Sequence, residues 1–173
     1  LRLVGSEMCI RDRGIGNPNI ANWDVPENWK GIYFAGVVET YKHYEAEMKA
    51  QADLIVLVSH SGIDGDPENS DFIRELVSTT DSIDLVFSGH EHRNGVTMIA
   101  NTDGKEIPVI SPSTKAAVVS RALFTYNKST GEYTVEASNA PMTKREGRVT
   151  EALYEPDADI TAALQPYETA TWN

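Results

Sequence analysis

Three features that would narrow the class of this protein are scarce in its sequence: cysteine, positive charge and long apolar runs. The single cysteine, Cys9, cannot form an internal disulfide, so cysteine content does not indicate a redox compartment. Lys and Arg number 15 against 26 Asp and Glu, and the net charge of −11 disfavours binding to nucleic-acid polymers. It does not disfavour a small phosphorylated substrate, because a metal ion can supply positive charge locally. No apolar run approaches the roughly 18 residues of a membrane-spanning helix.

The ends of the chain lack clear patterns. Residues 1–13 have no helical or strand period and no apolar segment typical of a secretory signal, and they give way abruptly to GIGNPNI. We expect residues 1–13 to be a non-native leader that resembles a translated sequencing-adaptor remnant, and we exclude them from the fold; a genuine disordered terminus is the alternative. A helical pattern stops at Asn173 without a cap, so we expect a fragment that is open at both ends.

The first half of the remaining chain has the pattern of an α/β protein. The whole chain has 173 residues, 40% hydrophobic and 24% charged, which suits one domain with a sizeable core. Apolar residues at three- and four-residue spacing predict amphipathic helices over 36–51 and 70–79. Near-continuous apolar runs at 54–59 and 83–88 predict buried parallel strands. A right-handed βαβ crossover then places both strand ends at one edge of a sheet.

The second half is predicted to be antiparallel, because alternating segments are separated by the hairpin-turn sequences NTDG and NKSTG. The predicted strands are 96–100, 107–111, 116–126 and 133–137, with a short early strand at 32–34 after a loop at 14–30. Residues 139–156 are polar and predicted to be irregular. Pro166 should kink or split the helix predicted over 157–172. The predicted fold class is α/β, a βαβ unit followed by antiparallel strands.

Three histidines follow the two buried strands: His60 comes after the first strand, and His90 and His92 come after the second. In open α/β sheets, ligands bind beyond the carboxyl ends of the strands. If the second strand stays extended, His90 and His92 point to the same face and Glu91 points away. Gly89 has no Cβ and allows the backbone to approach a ligand closely. The pattern predicts a metal site at this edge, for which Zn, Mn, Fe, Co or Ni is suited to imidazole ligands.

Other candidate residues have two interpretations each. Arg93 could reach a substrate phosphate, although a surface role is preferred, and Asn69 is preferred as a helix N-cap, with Ser70 the other candidate, rather than as a site residue. Further pairs of this kind are His43 (solvated or a ligand), Asp64 and Asp66 (a turn or a Ca²⁺ loop), Trp23 and Trp29 (core packing or the mouth of a site), and Thr114 and Lys115 (an ordinary loop or the lining of a cleft).

Several segments together resemble the calcineurin-like metallophosphoesterases, most closely the 5′-nucleotidase and 2′,3′-cyclic-nucleotide 2′-phosphodiesterase/3′-nucleotidase group. They are NIANWD at 19–24, ADLIVLVSHSG at 52–62, Glu68-Asn69 and IDLVFSGHEHR at 83–93. The resemblance extends over about 14–173. It implies the C-terminal half of a four-layer αββα sandwich, with a partial metallophosphoesterase domain at 14–150. Residues 151–173 would begin a connector helix toward an absent nucleotide-binding domain.

The resemblance also implies the chemistry. His60 and His90 resemble ligands of the family's second metal ion, and His92 resembles a ligand of the first. The intact protein would bind two divalent ions, such as Zn, Mn or Co, and hydrolyse a nucleotide or cyclic nucleotide by attack of metal-bound hydroxide. The family's D-x-H, G-D-x-x-D and G-N-H-E/D motifs are absent. No catalytic residue is therefore expected in this chain, which should be inactive without the missing parts of its protein.

Two functional alternatives remain open. One is a non-catalytic binding module on the same scaffold, and the other is a metallophosphoesterase of another substrate branch. The resemblance further implies an extracellular, cell-wall or periplasmic protein. Asn69 and Arg93 are the weak candidates for binding substrate.

Overall fold

The computed structural model describes residues 10–64, 72–146 and 149–172, within which four α-helices, nine strands and one 3-10 helix are formed. The strands are β1 (Ile10–Ile15), β2 (Leu54–Ser59), β3 (Leu85–Ser88), β4 (Asn94–Ala100), β5 (Glu106–Pro112), β6 (Val118–Asn127), β7 (Glu132–Pro141), β8 (Thr143–Glu146) and β9 (Val149–Ala152). The helices are α1 (Pro26–Trp29), α2 (Val37–Gln51), α3 (Ile73–Ser78) and α4 (Ala158–Trp172), and the 3-10 helix is Pro18–Asn22.

A five-stranded sheet organises the larger of two compact units, residues 1–140. Its order is β1-β2-β3-β5-β4; β1, β2, β3 and β5 run parallel, whereas β4 pairs antiparallel with β5. Of the parallel strands, β2, β3 and β5 are mostly apolar, as is typical of strands that are covered on both faces, whereas β1 carries three charged residues. Leu57 and Val86 lie in one buried cluster with Tyr41 of α2 and Leu76 of α3, so both helices cover one face of the sheet. This arrangement confirms the α/β fold class and the βαβ unit.

The remaining strands form two hairpins. Strands β6 and β7 make a two-stranded sheet within the larger unit, joined at the predicted NKSTG turn. The second unit, residues 141–173, contains the antiparallel pair β8 and β9 and the helix α4. The predicted boundary between domains at 150/151 stays a prediction.

Several predictions about elements were wrong. Ile10–Arg13 lie in edge strand β1, paired with β2, so their exclusion from the fold was wrong, whereas the foreign origin of 1–13 stays a prediction. Residues 32–34 form no strand, and the stretch predicted to be irregular contains β8 and β9. Pro166 lies inside the single helix α4, so the predicted split does not occur, while the predicted kink stays a prediction. The N-cap position of α3 is Phe72; Asn69 and Ser70 lie outside the described residues.

Candidate functional site

The carboxyl ends of three parallel strands are joined by hydrogen bonds just beyond the sheet. The backbone N–H of His60 donates to the carbonyl of Ile15 at 2.8 Å, and the N–H of Gly89 donates to the carbonyl of Ser59 at 2.8 Å. The Ser88 hydroxyl donates to the backbone carbonyl of Ser61 at 2.8 Å. These bonds place the loops after β1, β2 and β3 side by side, at the edge where the sequence predicts the site.

The imidazoles of His60 and His90 meet at this edge. Their ring centroids are 5.6 Å apart and their planes are inclined by 73°. Gly89 makes this approach possible, because a Cβ on Gly89 would lie 3.1 Å from His60 Nδ1 and 3.5 Å from the Ser59 carbonyl oxygen. Gly89 was predicted to let the backbone approach a bound ligand closely, and that stays a prediction; in the structure the space beside Gly89 is occupied by the His60 ring.

His92 does not follow the predicted geometry. Strand β3 ends at Ser88, and His90 and His92 have φ angles of +77° and +58°. Their backbone is left-handed rather than extended, so the predicted projection of both side chains from one strand face was wrong. Within residues 10–64, 72–146 and 149–172, no group of three or more His, Cys, Asp or Glu side chains is arranged to hold a metal ion. The structure brings together two of the three predicted histidines, and the assignment of all three as ligands stays a prediction.

The backbone conformation of this loop is itself informative. Left-handed φ angles in non-glycine residues cost on the order of 1–3 kcal/mol each and are concentrated at functional sites. A second left-handed segment adjoins it: Ser113, Lys115 and Ala116 have φ angles of +65°, +56° and +54°. The N–H of Ser113 donates to the carbonyl of Arg93 at 2.6 Å, so the loop after β5 is bonded to the histidine loop. Lys115 was among the residues predicted from the sequence, whereas Ser113 was not, because its residue type carries no chemical signature at that position.

Glu91 ties the histidine loop to the loop after β2. Its carboxylate accepts a hydrogen bond from the backbone N–H of Asp64 at 3.1 Å, and its Oε2 lies 3.6 Å from Arg93 Nε. Asp64 in turn accepts hydrogen bonds from Arg74 at 2.5 and 2.7 Å, and these bonds lower the pKa of the Asp64 carboxyl. Asp64 is thus part of an ion pair with α3. The other predicted member of that turn, Asp66, lies outside the described residues.

The Trp23 indole stacks on the His90 imidazole, with ring centroids 5.0 Å apart and planes inclined by 21°. Trp23 is 45% exposed, so the preferred interpretation of core packing was wrong for this residue. Trp29 is half-buried and donates its indole N–H to the Asp24 carbonyl at 3.3 Å. His43 is exposed on α2 and contacts Tyr44, as expected for a solvated histidine.

A cavity of about 330 Å³ lies elsewhere, between α2 and the segments that precede β3 and β5. Its lining includes Lys49 and Asp81, which form an ion pair at 2.8 Å. Because it lies at the amino ends of the strands, this cavity is not part of the histidine edge.

Known proteins share both the sequence pattern and the fold. No protein-family model matches the chain. A 2′,3′-cyclic-nucleotide 2′-phosphodiesterase/3′-nucleotidase from Yersinia enterocolitica is 33% identical over 85 residues, which are 46% of this chain and 13% of the relative.

Solved structures cover nearly the whole chain. A Staphylococcus aureus protein named as a 5′-nucleotidase matches 96% of this chain and 32% of its own, with a TM-score of 0.73 and 21% identity. The calcineurin-like phosphoesterase YfkN from Bacillus subtilis matches 94% and 51%, with a TM-score of 0.69 and 23% identity. A 5′-nucleotidase precursor from Thermus thermophilus matches 92% and 32%, with a TM-score of 0.64 and 18% identity.

This chain therefore spans 13% to 51% of the length of these relatives. The resemblance predicted from the histidine segments is confirmed: the chain resembles the 5′-nucleotidase and 2′,3′-cyclic-nucleotide 2′-phosphodiesterase/3′-nucleotidase group and has the fold of the calcineurin-like phosphoesterases.

Proposed function

We propose that this chain is part of a metal-dependent nucleotide phosphohydrolase that cleaves phosphate esters of nucleotides or cyclic nucleotides. The observation that carries the proposal is the apposition of His60 and His90 at the carboxyl edge of a sheet whose fold is shared with 5′-nucleotidases. Imidazoles suit the transition metals used in such hydrolases. The strand-end position is also where ligands bind in open α/β sheets.

The residues at this edge fit part of a metal site. His60 and His90 would ligate the same divalent ion. His92, an exposed residue two positions after His90, would ligate a second ion. Ser59 contributes a buried hydroxyl for which the described residues provide no hydrogen-bond partner, and a polar group bound at this edge would satisfy it. When bound, divalent metal ions lower the pKa of water and stabilise negative charge on phosphate oxygens.

The residues of this chain would position the metal ligands and bind the substrate. Gly89 leaves room for the His60 ring, and the Glu91 carboxylate lies 3.6 Å from Arg93 Nε. Arg93 is 61% exposed in its side chain and remains our candidate for a substrate phosphate, as does Asn69 outside the described residues. Because the relatives are longer, we propose that the remaining ligands and the group that assists the leaving alcohol lie in other parts of the complete protein. This segment alone would then be inactive.

The substrate class can be tested with the complete protein that contains this segment. Phosphate release or ring opening would be measured with AMP, 3′-AMP and 2′,3′-cyclic AMP, with and without added Mn²⁺ or Zn²⁺, against para-nitrophenyl phosphate as a general phosphoester. We expect metal-dependent turnover of at least one nucleotide at a kcat/KM about tenfold or more above that of the general ester. Preference for the general ester would instead assign the protein to another branch of the phosphoesterases.

A non-catalytic binding module is the second candidate. Tight binding of Zn²⁺ or Mn²⁺ by the complete protein, without turnover of any of these substrates, would identify such a module.

We also propose that the complete protein acts outside the cytoplasm, as a precursor form among its structural relatives suggests. Within the described residues, no helix combines the length and apolar character needed to span a membrane.

A further inference from the structure

We infer that Trp23 is a positioning residue for His90: its indole holds the imidazole in the orientation that turns it toward His60. The inference rests on the proposed function only in treating His90 as a metal ligand. It concerns a residue on a separate segment, 67 positions earlier in the sequence, that carries no metal-ligating group.

The geometry of the three rings supports this role. Trp23 and His90 are nearly parallel, at 21° and 5.0 Å, whereas His60 meets His90 at 73° and 5.6 Å. The His90 ring thus contacts two other rings, an indole nearly parallel to it and a second imidazole steeply inclined to it. A flat aromatic contact restricts rotation of the imidazole about its side-chain bonds, while leaving its nitrogen atoms available.

His90 needs such support because its backbone does not provide it. The residue lies beyond the end of β3, with a left-handed φ of +77°, and is half-buried. Metal-ligating histidines are usually oriented by a hydrogen bond from the second ring nitrogen to a carboxylate or carbonyl. Among the described residues, the contacts of the His90 ring are instead aromatic.

The segment that carries Trp23 is well suited to hold a ring in place. The backbone N–H groups of Trp23 and Asp24 both donate to the carbonyl of Ile20 at 3.0 Å, and the Asn17 side chain accepts from Asn19 N–H at 2.9 Å. The Asp24 carboxylate then accepts from the N–H of Val25 at 2.7 Å. The backbone that carries the indole is therefore held in place, and the 45% exposure of Trp23 shows that it is not a core residue.

The matched control is Trp29, a second tryptophan on the same segment. Its indole N–H donates to the Asp24 carbonyl at 3.3 Å, and it makes no ring contact with a histidine among the described residues. Trp23→Ala, Trp23→Phe and Trp29→Ala would be made in the complete protein. Trp23→Phe keeps a flat ring over His90, so it separates loss of stacking from loss of the indole itself.

The first readout is the proton NMR spectrum of the His90 ring without metal. An indole stacked on the imidazole shifts the ring C–H resonances upfield. We expect Trp23→Ala to abolish this shift, Trp23→Phe to keep part of it, and Trp29→Ala to leave it unchanged. Unaltered core resonances in the same spectra would show that each variant is folded. A His90 spectrum that is insensitive to Trp23→Ala would overturn the inference.

The second readout is Zn²⁺ affinity measured by calorimetric titration. Loss of a residue that orients a ligand weakens metal binding by about tenfold or more, so we expect this loss for Trp23→Ala and recovery to within about threefold for Trp23→Phe. Equal affinities of wild type and Trp23→Ala would contradict a positioning role. If the wild-type protein binds no Zn²⁺, the proposed function fails, while the NMR measurement still decides whether Trp23 orients His90.

Discussion

Gly89 is the residue on which the meeting of His60 and His90 depends most directly. A methyl group at this position would lie 3.1 Å from His60 Nδ1 and 3.5 Å from the Ser59 carbonyl oxygen. The imidazole can move, whereas the carbonyl belongs to the strand. We therefore expect Gly89→Ala to displace the His60 ring and to weaken Zn²⁺ binding by about tenfold. Calorimetric titration of the complete protein would measure this change.

Gly16 provides the control for that substitution, because no atom lies within 4 Å of a Cβ built at Gly16. Gly16→Ala should bind Zn²⁺ as the wild type does. Wild-type affinity in Gly89→Ala would show that the close approach at position 89 has no part in metal binding.

Glu45 links α2 to the segment before β3 through a half-buried carboxylate. Its Oε1 accepts hydrogen bonds from the hydroxyls of Thr80 and Ser82, and Lys42 donates to Oε2 at 3.0 Å. Burial alone would raise the pKa of Glu45, but these hydrogen bonds together with the charge of Lys42 lower it. The folded protein therefore binds this proton less readily than the unfolded chain does.

This difference predicts a pH dependence of stability. The stabilisation from Glu45 is fully present above its unfolded-state pKa of about 4.3 and is lost as the pH falls through the lower pKa of the folded state. We expect Glu45→Gln to reduce the free energy of unfolding at pH 7 by about 1–3 kcal/mol and to flatten its decline in acid. Urea unfolding between pH 3 and 7 would measure both effects.

The exposed residue Glu47 on the same helix is the control for that experiment. Its carboxylate accepts a hydrogen bond from Gln51 at 3.5 Å, and so long a bond on an exposed surface contributes little to the free energy of unfolding. Glu47→Gln should therefore retain the wild-type pH profile. If Glu45→Gln and Glu47→Gln had the same pH dependence of the free energy of unfolding, this part of the pH dependence would not come from Glu45.

Asp84 connects elements that are distant in sequence: β2, the β4–β5 hairpin and β7. This buried carboxylate accepts a hydrogen bond from Ile55 N–H at 2.9 Å, from Lys105 Nζ at 3.2 Å and from the Tyr133 hydroxyl. Burial and the hydrogen bond to Asp84 raise the pKa of Tyr133, so the phenol remains a donor at neutral pH. The hairpin β6–β7 is thereby attached to the parallel sheet.

We expect Asp84→Asn to lower the free energy of unfolding by about 2 kcal/mol, because Lys105 and two other donors lose a charged acceptor. Lys105 is half-exposed, which limits the free energy lost when its ion pair with Asp84 is removed. Denaturant unfolding followed by circular dichroism would measure the loss. Asp103→Asn, at an exposed turn position, should change stability by less than about 0.5 kcal/mol. A stability of Asp84→Asn equal to that of Asp103→Asn would mean that this junction is not stabilising.

The elements also show which parts of the structure a sequence can predict. Helix α2 and strand β2 have strong periodic patterns and were predicted within a residue. Strand β1 was not predicted, because IRDRGI gains its structure from backbone pairing with β2 and has no pattern of its own. Strands β8 and β9 are short, and all the described side chains of β9 are exposed, so no buried face imposes an alternation.

The same contrast applies to the candidate site. That His60 and His90 would meet was predictable, because the carboxyl ends of parallel strands share an edge. The position of His92 was not, because it depends on where β3 ends and on two left-handed backbone angles. The stacking of Trp23 depends on a loop path that no local pattern encodes.

At the scale of the whole molecule, one face of the main sheet is incompletely covered. The register aligns Val58 with Phe87, Phe87 with Ile110, and Ile110 with Val96, on the face opposite to α2 and α3. Val58 and Val96 at the two sides of this row are 49% and 38% exposed, and Met98 is 49% exposed. Exposed apolar patches of this kind promote association.

We therefore predict that this chain alone is poorly soluble and associates. The triple variant Val58→Thr, Val96→Thr and Met98→Lys should shift it toward monomer in analytical ultracentrifugation, because the association is driven by the apolar face. Val25→Thr, at a residue 55% exposed outside the sheet, should not. A soluble wild-type monomer with a cooperative thermal transition would contradict this prediction.

The proposed function requires that the two apposed imidazoles, His60 and His90, bind a metal ion. Calorimetric titration of Zn²⁺ into the complete protein tests this requirement directly, with His60→Ala and His90→Ala compared with His43→Ala, an exposed histidine on α2. We predict that each of the first two variants loses about 100-fold or more in affinity for one ion, whereas His43→Ala binds as the wild type does. Wild-type affinity in both His60→Ala and His90→Ala would contradict the account.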